Sequence, residues 1–257
     1  MLRKLCLSAA LTVALAPALL AQTVDQVVAK SIEARGGMDK LKSVQTVRAS
    51  GKMEFGPGME APGTMLQKRP DMMRLDFTVQ GLTVTQAYDG SSGWQVIPFT
   101  GKKDPELMTA DDTKEAQETA DIDGPLVDYK TKGNTVELLG KEKVEGTDAY
   151  KLKVTLKNGD VKTMYLDADS YLEIKEEGKR TVRGTDQETE SSIADYREVN
   201  GLMFPFAMES GVKGSPQKQK LTIEKVELNV PVDDSVFKMP AAAPAPKAED
   251  KKEPPKK

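Results

Sequence analysis

Residues 149–175 read AYKLKVTLKNGDVKTMYLDADSYLEIK, and the reading of this stretch decides the fold. Tyr150, Leu152, Val154 and Leu156 alternate with Lys151, Lys153, Thr155 and Lys157. A period of two marks a half-buried strand, because successive side chains point to opposite faces. Asn158-Gly159 is the pair that best tolerates the positive φ angles of a type I′ turn. A two-residue turn predicts that Lys157 faces Asp160, Leu156 faces Val161, Val154 faces Thr163 and Leu152 faces Tyr165. One face of the hairpin is then apolar, and the other sets Lys157 against Asp160 and Thr155 against Lys162. Residues 167–170 read as the next turn and 171–175 as a third strand. A meander of three strands cannot stand alone, so the rest of the chain is expected to extend and curve the sheet.

Working outward, the same alternation recurs. Upstream, strands are predicted at 44–55, 63–68, 72–79, 82–88 and 94–99, punctuated by Gly56-Pro57-Gly58, Pro70-Asp71, Gly81 and Asp89-Gly90. Downstream and around the hairpin they are predicted at 135–141, 179–183, 188–198, 202–209 and 217–229, with Asn200-Gly201 as a second turn of the same kind. Two stretches break the pattern. In 23–42, Val24, Val27, Val28, Ser31 and Ile32 sit at helical spacing, Gly36-Gly37 ends the helix, and 38–41 adds one more turn. In 104–123, Pro105 suits a first helical position and Thr109 with Asp112 resembles a capping box, which predicts one or two short helices over one end of the sheet.

Composition sets the limits. Residues 1–21 carry Arg3 and Lys4, an apolar run from Leu5 to Ala16, and a small-residue end at Ala21. This reads as a cleaved secretory signal, and the run is short for a membrane span. The only cysteine, Cys6, lies within it, and the chain has no histidine. Losing Arg3 and Lys4 takes the net charge from −3 to −5. A mildly acidic chain with interspersed charge is not a general nucleic-acid binder. Residues 22–240 are ample for one domain. Residues 241–257, AAAPAPKAEDKKEPPKK, form a Pro/Lys-rich low-complexity tail that cannot bury enough apolar area to order itself.

The chemistry points to a binder. Without histidine, and with no cysteine after the signal, there is no catalytic triad, no thiol nucleophile and no histidine metal site, so no catalytic residue, metal or cofactor is expected. Carboxylate pairs at Asp111-Asp112 and Asp121/Asp123 are the remaining candidates, and both read as a solvated helix face. Methionine is plentiful, 12 in the chain, and its flexible thioether repacks around varied alkyl groups. Met65, Met73, Leu75 and Phe77 on strands, with Leu107, Met108 and Ile122 in the helical segment, are the candidates to line a greasy cavity. Trp94, the lone tryptophan, is either core or part of that lining.

Gln67-Lys68-Arg69-Pro70, followed by Asp89-Gly90, Trp94 and Pro98, carries a resemblance. A KRP step between two strands, a DG turn, and an aromatic strand ending at a proline resemble the outer-membrane lipoprotein-sorting family with the LolA/LolB-like fold. The likeness spans about residues 24–240. It implies a mainly β single domain: an incomplete, half-open antiparallel β-barrel with a helical lid around a hydrophobic cavity, here of ten or eleven strands. It implies that Arg69 latches the closed lid by bonding lid-helix backbone. It also implies a monomer in the periplasm that holds acyl chains of lipoproteins or lipids, with an inner-membrane exporter and an outer-membrane acceptor as partners. A highly charged lid and the added tail depart from the family pattern and leave the cargo open. An envelope sensor or scaffold on the same fold, or a carboxylate-dependent hydrolase, are the alternatives.

Overall fold

The computed structural model describes residues 22–241 except 57, 103, 183 and 184. The expected signal peptide and, apart from Ala241, the expected tail lie outside the described residues. Thirteen strands form one antiparallel sheet: β1 (Thr46–Glu54), β2 (Glu60–Lys68), β3 (Met72–Val79), β4 (Leu82–Tyr88), β5 (Gly93–Val96), β6 (Glu106–Leu107), β7 (Thr135–Val144), β8 (Thr147–Thr155), β9 (Val161–Asp167), β10 (Glu173–Val182), β11 (Thr185–Val199), β12 (Leu202–Val212) and β13 (Lys218–Leu228). Their spatial order is β6-β5-β4-β3-β2-β1-β13-β12-β11-β10-β9-β8-β7. The sheet is open, with β6 and β7 at its edges, as expected for a half-open barrel.

Four helices accompany it: α1 (Val24–Ala34), α2 (Met38–Ser43), α3 (Ala110–Ala120) and α4 (Tyr129–Lys132). α1 opens with a capping box between Thr23 and Gln26. It lays Val27 and Val28 on Val136, Leu152, Val154, Met164 and Leu166, so the anticipated helix-on-sheet packing is the main core. The α1–α2 corner abuts the 200–201 turn. Gly36 permits this, since a Cβ there would run into the Gly201 carbonyl, and Met203 N donates to Arg35 O at 3.1 Å. α2 sets Leu41 over Val47, Val127 and Leu202. Finally, the chain after β13 straps the convex face: Lys68 Nζ donates to Val232 O at 2.8 Å and Arg74 to Val236 O at 2.9 Å.

Several expectations are corrected. There are thirteen strands rather than ten or eleven, and one of them is the short stretch at 106–107, which pairs with β5 instead of beginning a helix at Pro105. The two strands expected at 171–175 and 179–183 are one, β10, which starts after Tyr171 takes a left-handed φ of 60°. The Asn158-Gly159 hairpin is shifted by one residue: Leu152 faces Met164, Val154 faces Lys162 and Thr155 faces Val161. Its loop holds three residues, with Leu156 N donating to Asp160 O and positive φ at Gly159 but not at Asn158. That is the loop in which a glycine bulge follows a type I turn. At Asn200-Gly201 both residues take positive φ, 53° and 78°, and Val199 faces Leu202 across a true two-residue turn. A slip of one changes which side chains share a face, so Lys162 joins Leu152 and Val154 on the inner face rather than pairing with Thr155 outside.

Candidate functional site

The concave face beneath α3 is the candidate site. α3 starts where Thr109 accepts from Asp112 N at 3.1 Å and donates to Asp112 Oδ2 at 2.7 Å. Its sequence, ADDTKEAQETA, buries only Ala116 and Ala120. These sit on Met73 and Tyr88, flanked by Met65, Leu75 and Met108. Gly93 admits this close approach, because a Cβ there would stand 2.7 Å from Met108 Sδ and 3.0 Å from Thr113 Oγ1. Gln67 Nε2 ties the last turn, donating to Thr119 O at 2.5 Å.

Across the face, the same helix meets charge. Lys162 lies between Glu118 of α3 (2.9 Å) and Glu176 of β10 (3.2 Å). Burial alone would favour the neutral amine, but the two carboxylates outweigh it and raise the Lys162 pKa. Arg180 meets Glu115 at 2.8 Å where both side chains are half exposed. A cleft of about 570 Å³ opens between α3 and this part of the sheet, floored by Thr189, Ser191, Ser210 and Gln219, with Phe55 and Val212 at its rim.

Arg69 joins three segments. Its Nη1 and Nη2 clamp Asp123 at 2.9 and 2.5 Å, its Nε donates to Val44 O at 2.6 Å, and Nη2 also reaches Leu41 O at 3.1 Å. Lys42 adds a contact to Asp123 at 2.7 Å, and Arg35 donates to the Asp123 carbonyl at 2.7 Å. The Asp123 side chain is 3% exposed. Burial works against its charge, yet the bonds from Arg69 and Lys42 prevail and hold its pKa at about 2. The backbone partners of Arg69 therefore belong to the α2 region, and its link to the lid segment is the Asp123 carboxylate just beyond α3.

The residues anticipated at the cavity separate into groups. Met65, Met73, Leu75 and Met108 do gather beneath α3. Phe77 continues the same face of β3 and stands 5.6 Å from Phe55. Ile122 packs instead in the α2 cluster. Leu107 is 67% exposed. Trp94 occupies the opposite, convex face: it is buried under the C-terminal strap, and its indole donates to Phe237 O at 2.6 Å. Of the carboxylates read as a solvated face, Asp111 is exposed and Asp112 partly so, but Asp121 and Asp123 are not solvated. Asp121 pairs with Lys132, and Asp123 is buried on Arg69. Glu118 and Glu176 went unread, Lys162 was placed on the outer face, and Asp123 was noticed only as solvated surface. Asp123 finds its partner 54 residues away, and no local pattern announces such a pair.

No protein-family model and no curated protein matches the sequence. Solved structures do. A LolA superfamily protein from Nitrosomonas europaea superposes with a TM-score of 0.56 at 15% identity, over 85% of this chain and 98% of that one. The fold is LolA-like. A DUF1329 family protein from Desulfovibrio piger gives 0.57 at 11% identity, over 85% and 98%. A domain described as an outer membrane lipoprotein-sorting protein, from Vibrio parahaemolyticus, gives 0.55 at 13% identity, over 82% and 94%. At these identities the likeness speaks for the LolA-like architecture. Among the described residues, no helix is long and apolar enough to cross a membrane.

Proposed function

We propose that the protein is a periplasmic carrier or binder of acyl chains, from lipid or lipoprotein, that takes part in outer-membrane lipoprotein sorting without catalytic turnover. The observation that carries this reading is the methionine floor of β2 and β3 covered by a helix that offers it only two alanines. Each methylene of an acyl chain gains about 0.8 kcal/mol on burial, while two alanine methyls forfeit little on leaving, so on the apolar contact alone exchanging helix for chain is favourable. Methionine side chains re-form around chains of differing length. The LolA-like fold and its likeness to a sorting domain support the same reading. Arg69 on Asp123 is then the latch of the lid segment, and an exporter and an outer-membrane acceptor are the partners that such traffic requires. The test is mass spectrometry of organic extracts from the purified protein, with titration of a fluorescent fatty acid. Acyl species should copurify, and Leu75→Asp should weaken the probe at least tenfold. A protein that neither copurifies acyl species nor takes up the probe would be a sensor or scaffold.

A further inference from the structure

Apart from the surface under α3, a cavity of about 370 Å³ lies between the end of α1, the 121–126 segment and the inner face of β9–β12. Leu126, Met164, Leu166, Ile193, Pro205 and Met208 make its walls largely hydrocarbon. Into it projects Glu173, at the start of β10, where the register with β9 shifts. Its Oε1 is shut off from solvent and, alone among the side-chain atoms of the described residues, is buried without a hydrogen-bond partner. The surrounding groups do not supply one. The Tyr196 hydroxyl, on β11, donates to the backbone carbonyl of Glu173 at 3.0 Å. Arg35, after α1, gives Nη1 to Asp123 O, and Lys162, on β9, is held by Glu118 and Glu176. Asp121, after α3, is paired with Lys132. Glu173 and Glu176 therefore line a greasy chamber, Glu176 paired with Lys162 and Glu173 with its Oε1 unpartnered.

We propose that this cavity binds a small amphipathic molecule bearing a primary ammonium, with the ammonium on the Glu173 carboxylate and the alkyl part against the methionine-containing walls. An ammonium brings three N–H donors, enough for Glu173 and for Glu176 and Ser191 on the same wall. A chamber of this size suits a small ligand. Burial, with Glu176 beside it, pushes the Glu173 carboxyl up to about 8, so at neutral pH it holds a proton. Entry of the ammonium ionises the acid, and that proton leaves to solvent. Affinity consequently rises about tenfold per pH unit below that pKa and levels off above it. The cavity shares Glu176 and Ser191 with the cleft under α3 but does not include the methionine floor of β2 and β3.

Calorimetric titration of the whole protein with hexylamine, hexanol and hexanoate, at pH 6, 7 and 9 and in buffers of differing ionisation enthalpy, tests it. Hexylamine should bind at least tenfold tighter than hexanol at pH 9, and hexanoate more weakly than either. About one proton should be released per amine at pH 7, and almost none at pH 9. Glu173→Gln should retain hexanol binding and lose both the amine preference and the proton release. Equal affinity for amine and alcohol, a preference that survives in Glu173→Gln, or no binding of any probe would overturn the proposal. Should the variant fail to fold, the proton count in the unmodified protein decides alone.

Discussion

Beneath α3 the concave face changes character from one half of the sheet to the other. On β2–β4 the helix rests on Met65, Met73, Leu75 and Tyr88, and its contribution is two alanines. On β9 and β10 it rests on Lys162 and Arg180 through Glu118 and Glu115, with Glu176 holding Lys162 from the sheet. The apolar contact is adaptable and small. The ionic contact is directional and costly to leave half made, because a buried charge without its partner is penalised more than the pair is worth. The lid's position is thus set by charge and its floor by grease. A ligand competing for the floor need not match the shape of the helix, only outlast its anchors.

The strongest challenge to this contrast is Lys162→Met, which leaves Glu118 and Glu176 facing each other. We expect a loss of about 3 kcal/mol in chemical denaturation, the lower end of the range for breaking a buried pair because the lysine is 25% exposed. Adding Glu118→Gln and Glu176→Gln should restore most of it. Stability unchanged by Lys162→Met would show that charge does not position the helix. Next, Arg69→Leu removes charge-assisted bonds worth roughly 1.5–3 kcal/mol where water is excluded. Hydrogen exchange should speed up across 104–123 while 149–175 remains protected, and acyl-probe exchange should quicken with binding retained. Equal protection of 104–123 in both proteins would rule out a latch.

Acid offers a third approach. The Asp123 carboxyl ionises at about 2 in the fold against 3.8 when free, so its stabilisation is complete above about pH 4 and is lost as pH falls through 2. In Asp123→Asn the melting temperature should lie below that of the parent at neutral pH, and the gap should close on acidification to pH 2. A gap that stays constant would deny the pair its role. The smallest effect is assigned to Arg180→Ala. Its exposed pair with Glu115 should be worth about 0.2–1 kcal/mol and fade in high salt, and a larger, salt-insensitive loss would move the ionic anchor outward from Lys162.

These contrasts were unevenly legible in the sequence. Period-two alternation and the turn residues revealed the strands, since both are local. Thr109 with Asp112 likewise announced its helix start. The register of 149–167 was not legible, because Asn-Gly serves both a two-residue turn and a three-residue loop with a glycine bulge. The choice put Lys162 inside, which hid the ionic half of the site. Arg69 was reachable only through its motif, and Asp123 was noticed without its partner, since an acidic pair after an acidic helix resembles solvated surface. Trp94 stayed open between core and lining because a large apolar ring fits either face of a strand, and only the strap after β13 decides for core.

Each strand neighbours the strands next to it in sequence, and the two exceptions are β1 beside β13 and the gap between β6 and β7. That gap falls at residues 108–134, where the chain leaves the sheet to build α3 and α4. The opening of the barrel and the object that stoppers it are therefore one stretch of polypeptide. A sequence change that turned this stretch into strand would take the stopper away from the opening it fills, so mouth and cork are encoded in one segment.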